Sequence, residues 1–94
     1  MNTLPRAAPV LREGDHTDNI YFIVNGALKV LVSDEEGREV ILSILGPGEM
    51  FGEMGVLDDH PRSATVIATQ SSDLVLVNKG DFQRFLASSF EVTL

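Results

Sequence analysis

Ile20-Tyr21-Phe22-Ile23-Val24-Asn25-Gly26 opens the stretch that decides the fold. The chain then runs apolar from Ala27 to Ser33, turns at Asp34-Glu35-Glu36-Gly37, and continues as Glu39-Val40-Ile41-Leu42-Ser43-Ile44-Leu45. Gly46-Pro47-Gly48 closes it. Each run is short, rich in β-branched residues and bounded by turn residues, which is the pattern of strands rather than helices. Working outward, Ala64–Thr69 and Leu74–Val77 repeat the pattern on either side of Gln70-Ser71-Ser72-Asp73. Strands at this spacing predict a mainly β chain, a double-stranded β-helix or jelly roll.

The two ends depart from that pattern. Pro5 and Pro9 oppose regular structure, so residues 1–9 read as a loose lead-in to a roll over 10–78. After Val77 the period changes. Asn78 is placed to cap a helix, and Asp81, three residues on, is placed to answer it. Phe82, Phe85, Leu86 and Phe90 then recur at helical spacing. This predicts an amphipathic helix from about Lys79 to Ser88, within a C-terminal element over 79–90. Its aromatic face is read as packing inside the molecule. With 94 residues the chain reads as one domain over 1–94. Its abrupt stop after the helix reads as a fragment of a longer protein.

Composition narrows the function. The net charge is -7, with the basic residues scattered, so no direct nucleic-acid contact is expected from this segment. No cysteine is present, which excludes disulfides and thiolate sites and accords with a cytoplasmic protein. No signal peptide is evident, and the apolar runs are far too short to span a bilayer, so no membrane is expected.

The stretch from Phe51 to Thr65 carries the chemistry. It is a long connection between strands, and such connections are commonly functional. A short helical turn beginning near Gly52 would point free N–H groups at an anion. Gly52 leaves room for a ligand against the backbone. Arg62 can fork two donors onto phosphate oxygens. Ser63 adds a hydroxyl donor and Ala64 a backbone N–H. Glu53, acceptor-only when ionised, suits a sugar hydroxyl better than a phosphate. The bland alternative is a surface ion pair between Glu53 and Arg62, worth about 0–1 kcal/mol, with Gly52 and Gly55 as plain turn residues.

Phe51-Gly52-Glu53-Met54 and Pro61-Arg62-Ser63-Ala64-Thr65-Val66 together resemble the phosphate-binding cassette of the cyclic-nucleotide-binding domain family. Arg12-Glu13-Gly14-Asp15 before Ile20–Gly26 is similar to that family's opening strands and glycine turn. Asp34–Glu39 before Val40-Ile41-Leu42 is similar to its bacterial catabolite-activator (Crp/Fnr) branch. The resemblance implies a jelly roll with a short cassette helix and a C-terminal helix. It implies that Glu53 receives the ribose 2′-hydroxyl. Arg62 would pair with the cyclic phosphate, supported by Ser63 and the backbone of Gly52 and Ala64. Val30, Leu42 and Ser43 would line the base and sugar pocket; Val30 and Leu42 also read as core residues.

The expectation is a non-enzymatic sensor of cAMP, or else cGMP, serving as the regulatory part of a transcription regulator. No metal is expected, and any self-association would be a homodimer through the C-terminal helix. Two rivals stand beside it. One is a ligand-free β-roll that holds a partner. The other is a cupin-like metal protein, which needs several converging histidines where this chain has only His16 and His60. No arrangement of serine, histidine and acid suggests catalysis.

Overall fold

Alternation of side chains along a strand lets one face of each apolar run meet a shared core. A computed structural model describes residues 2–17, 19–52 and 61–85. The strands are β1 (Asn2–Leu4), β2 (Pro9–Leu11), β3 (Asn19–Asn25), β4 (Leu28–Ser33), β5 (Glu39–Leu45), β6 (Met50–Phe51), β7 (Thr65–Ala68) and β8 (Ser72–Asn78). They form two antiparallel sheets, ordered β1-β8-β3-β6 and β2-β7-β4-β5. Leu11, Leu28 and Val66 from one sheet meet Tyr21, Ile23, Phe51 and Leu74 from the other in a single buried cluster. This is the mainly β jelly roll that the sequence predicts.

The lead-in reading of residues 1–9 is corrected. Asn2, Thr3 and Leu4 pair with Leu74, Asp73 and Ser72 of β8, and the Thr3 hydroxyl donates to Asp73 Oδ1 at 2.7 Å. Pro9 begins β2 opposite Ile67. β2 is an edge strand, where a residue without an N–H is tolerated. The two-residue strand β6 at Met50–Phe51 was also not expected; it pairs with β3.

The cap reading holds. Asn78 Oδ1 accepts the Asp81 N–H at 2.8 Å, and Asn78 Nδ2 donates to Asp81 Oδ2 at 3.0 Å. The helix α1 is described over 79–85; Leu86, Ser88 and Phe90 lie outside the described residues. Phe82 is buried against Ile20 and Val77, on the face of the sheet turned away from the main core. β3 therefore buries residues on both faces, which explains its unbroken apolar run. Phe85 is 64% exposed, contrary to an intramolecular role. One turn of helix carries Phe85 past the region that Phe82 covers.

β4 and β5 form a hairpin with an irregular register. Val30 faces Ser43 and Leu31 faces Ile41, so Leu42 is the extra residue of a bulge. At its tip, Asp34 Oδ1 accepts the N–H groups of Glu36 at 2.9 Å and Arg38 at 2.8 Å. Elsewhere Gly26, at φ 101°, brings the chain so close to Ser72 that a Cβ would stand 2.2 Å from its Oγ. Ser72 is buried, and its Oγ accepts the Ala27 N–H at 3.2 Å.

Gly26→Ala should therefore destabilise the roll by about 3 kcal/mol or more, from overpacking and left-handed strain together. Urea unfolding should show a lower midpoint at an unchanged slope; an unchanged midpoint would contradict the close approach. The acid limb is also predictable. The N–H of Arg38, more than any other contact, holds the Asp34 carboxyl below its ordinary 3.8. The Thr3 hydroxyl and then the Asn25 amide do the same for Asp73. Both carboxyls bind their protons more weakly when folded. Their contribution is complete above the ordinary value and disappears as pH falls through the depressed one. Stability measured against pH should fall less steeply in that acid range for Asp73→Asn than for the parent.

Candidate functional site

Arg62 lies just before β7, and the backbone fixes its place. Its N–H donates to Asp15 O at 2.7 Å, and its carbonyl accepts the Gly14 N–H at 2.8 Å. The side chain turns inward and is only 5% exposed. Nε donates to Thr17 Oγ1 at 2.7 Å, Nη2 to Asn19 O at 2.6 Å, and Nη1 to Gly52 O. Burying a guanidinium without partners would cost several kcal/mol. Here every nitrogen has an acceptor, yet all three are neutral oxygens. No carboxylate pairs with Arg62 among the described residues. A guanidinium has five N–H donors. The described contacts leave one hydrogen on each terminal nitrogen, together with a positive charge that nothing described balances.

Gly52 is required by this arrangement. It sits at φ 92°, and a Cβ there would lie 3.1 Å from both Arg62 Nη1 and Asn19 O. The same Cβ would lie 3.4 Å from Tyr21 Cδ2. Tyr21 in turn stacks on Phe51, with ring centroids 5.0 Å apart. The aromatic pair thus fixes the strand end from which Gly52 presents its carbonyl.

The other expected site residues divide into three groups. Ser63 is exposed and Ala64 half-buried, both directly after Arg62 at the start of β7. Val30 packs against the core and is flanked by Ser43 on β5 and Val66 on β7. Directly opposed residues share a face, so Ser43, Val30 and Val66 form one row across the inner side of the sheet. Leu42 is not a core residue. It is the bulged position and is 59% exposed, because β5 is an edge strand. Glu53 lies outside the described residues, as does the expected helical turn after Gly52 and with it His60.

Sequence reasoning missed Thr17 and Asn19. Asn19 contributes only a carbonyl, which every residue possesses, so its side chain carries no signal. The Thr17 hydroxyl lies some forty residues from Arg62 in sequence, and a threonine in a loop is unremarkable by itself. A separate groove of about 540 Å³ is lined by Ala7, Pro9, Arg12, Glu13, Ser33, Thr65 and Ile67. Thr65 and Ile67 alternate with the core residue Val66, so this groove is on the outer face and is distinct from the Arg62 site. Among the described residues, no group of three or more His, Cys, Asp or Glu comes together. No helix among them is long and apolar enough to cross a membrane.

Two antiparallel sheets around a core, with an arginine buried beside a glycine turn, define a ligand-receiving β-roll. The family model of the cyclic nucleotide-binding domain matches residues 1–89. The chain belongs to the cyclic nucleotide-binding domain family, in accord with the resemblance of its cassette halves. The cAMP-activated global transcriptional regulator CRP of Salmonella typhimurium is 32% identical over 83 residues, covering 87% of this chain and 40% of that protein. The solved catabolite activator protein of Thermus thermophilus superposes with a TM-score of 0.88 at 30% identity. That match covers 93% of this chain and 41% of the other. An EAL enzyme in its cAMP-bound and cGMP-bound forms superposes at 0.85 and 0.86, with 31% identity. In both forms 92% of this chain and 23% of that enzyme are covered. The chain spans about two fifths of the length of the curated relatives it matches.

Gly52→Ala should destabilise the protein by about 2 kcal/mol, from strain at positive φ and from crowding of the guanidinium. Chemical denaturation measures this. Stability equal to the parent would mean that Gly52 is not tied to Arg62 as described.

Proposed function

We propose that this chain is a non-catalytic sensor domain for cAMP, with cGMP as its nearest competitor, and that it forms the regulatory part of a transcription regulator. One observation carries the reading: Arg62 is buried, charged and faced by neutral oxygens among its described partners. A cyclic phosphate bears a single negative charge and offers acceptor oxygens, so it matches one guanidinium with two hydrogens to spare. Ser63 and the Ala64 N–H supply further donors beside it. Glu53 is assigned to the ribose 2′-hydroxyl. The row of Ser43, Val30 and Val66 offers an apolar wall with one hydroxyl to the sugar and base, and Leu42 flanks it at the bulge.

The ligand assignment draws on relatives as well as chemistry. The Salmonella protein is named for activation by cAMP and for transcriptional regulation. The EAL enzyme has bound forms with either nucleotide on nearly the same scaffold. That enzyme's two bound forms support assigning any base preference here to side chains around the roll rather than to the roll itself. The rest of the regulator would supply DNA binding, because the -7 charge of this segment repels a nucleic-acid backbone.

Isothermal titration with cAMP and with cGMP tests the reading. Saturable heat with cAMP, tighter than with cGMP, is expected. No heat from either nucleotide in a folded sample would overturn it and favour a ligand-free interaction module. Arg62→Ala should weaken cAMP binding by roughly 10- to 150-fold, the cost of about 1.5–3 kcal/mol for hydrogen bonds to a charged group. Arg62→Lys keeps the charge but loses the fork, and should fall between the two.

A further inference from the structure

We propose that Thr17 is a positioning residue for the phosphate-binding arginine, acting by fixing the plane of the Arg62 guanidinium. The proposal rests on the reading of Arg62 as the phosphate ligand. The guanidinium is rigid and flat, so its orientation decides where its remaining hydrogens point. Two backbone carbonyls, of Asn19 and Gly52, hold the terminal nitrogens. Thr17 Oγ1 accepts the third bond, from Nε at 2.7 Å, and is the only side-chain acceptor of the set. With Nε released, the plane is held along one edge only and can tilt about it.

Thr17 is well placed for this task. It is half-buried, and its β-branched side chain has few rotamers. Its loop is fastened to Arg62 on both sides of the peptide, by the Gly14 N–H to Arg62 O and the Arg62 N–H to Asp15 O. The loop and the arginine therefore move together. The chemistry of the acceptor matters as well. A carboxylate at this position would also orient Nε, but it would neutralise the guanidinium and compete with an incoming anion. A hydroxyl orients the group without itself neutralising the charge.

The experiment compares Thr17→Val, which keeps the shape and removes the acceptor, with Thr17→Ser, which keeps the acceptor. Titration with cAMP should show about tenfold weaker binding for Thr17→Val and near-parental binding for Thr17→Ser. In an Arg62→Lys background, which has no Nε–H, Thr17→Val should produce no further loss. A second readout needs no nucleotide. Solvent exchange of the Arg62 Nε–H, followed by nitrogen-resolved NMR, should be slow in the parent and in Thr17→Ser. It should be about tenfold faster or more in Thr17→Val. Parental affinity and parental exchange in Thr17→Val would overturn the proposal. So would an equal loss of affinity in the Arg62→Lys background, because the hydroxyl would then act other than through Nε. If the parent binds neither cAMP nor cGMP, the ligand reading fails, and the exchange rates still decide whether Thr17 orients Arg62.

Discussion

Among the described residues, three neutral oxygens hold the Arg62 guanidinium beneath the surface, and this buried cation is the constraint that ties distant parts of the chain together. A buried cation left without partners would be too costly to keep, and a cation paired with a carboxylate would be of little use to an anion. The described acceptors are neutral and meet the hydrogen-bonding demand of all three nitrogens. That solution draws together parts of the chain that are apart in sequence: the neighbouring Thr17 and Asn19, the turn at Gly52, and Arg62 itself. It also limits what each may be. Position 52 favours glycine, because its φ of 92° strains other residues and a Cβ would crowd the Asn19 carbonyl and the arginine at 3.1 Å. Tyr21 and Phe51, cross-strand partners on β3 and β6, stack beside the two carbonyls.

The two sheets make such a site tolerable in a small domain. Their inner faces bury one continuous apolar cluster, and the sheet containing β3 uses its other face as well, against Phe82 of α1. Gly26 and Ser72 close the strands tightly at the opposite end, where no side chain fits between them. The hairpin of β4 and β5 is built differently. β5 is an edge strand whose residues from Glu39 to Ile44 are all exposed, and its bulge at Leu42 breaks the alternation beside Ser43. The roll is thus firm where its ends are closed and open along the row that Val30 and Ser43 share.

Local signals in the sequence were sufficient where the structure is locally determined. The runs that became β3, β4 and β5 were legible from their turns, and the Asn78–Asp81 cap from its spacing, because each depends on neighbours a few residues away. The early strands were not. β1 exists only because β8, about seventy residues later, supplies its partner, and a proline at the head of β2 looks like a breaker until the strand is known to be an edge. The candidate site divides in the same way. Arg62 and Gly52 stood out in the sequence through the resemblance of the stretch around them, and the structure brings the two into contact, with their ligand roles still a proposal. Thr17 and Asn19 did not stand out, because one is an ordinary loop threonine and the other acts through its backbone. Phe85 shows the reverse error. Its helical spacing fits an apolar stripe, yet the sheet beneath the helix covers Phe82 and leaves Phe85 in solvent.

Asn19 has a further consequence for how binding at Arg62 would be felt elsewhere. Its carbonyl accepts from Nη2, and its cross-strand partner on β8 is Asn78, the residue that caps α1. The next residue, Ile20, is the one on which Phe82 of the helix packs. A phosphate bound through the spare hydrogens of the guanidinium would share the group with the Asn19 carbonyl. That change falls on the strand backbone between the helix cap and the helix's buried anchor. The ligand can shift the helix only by the difference in its affinity for the two arrangements. Sharing of one rigid guanidinium between a phosphate and the Asn19 carbonyl would be the physical origin of such a difference.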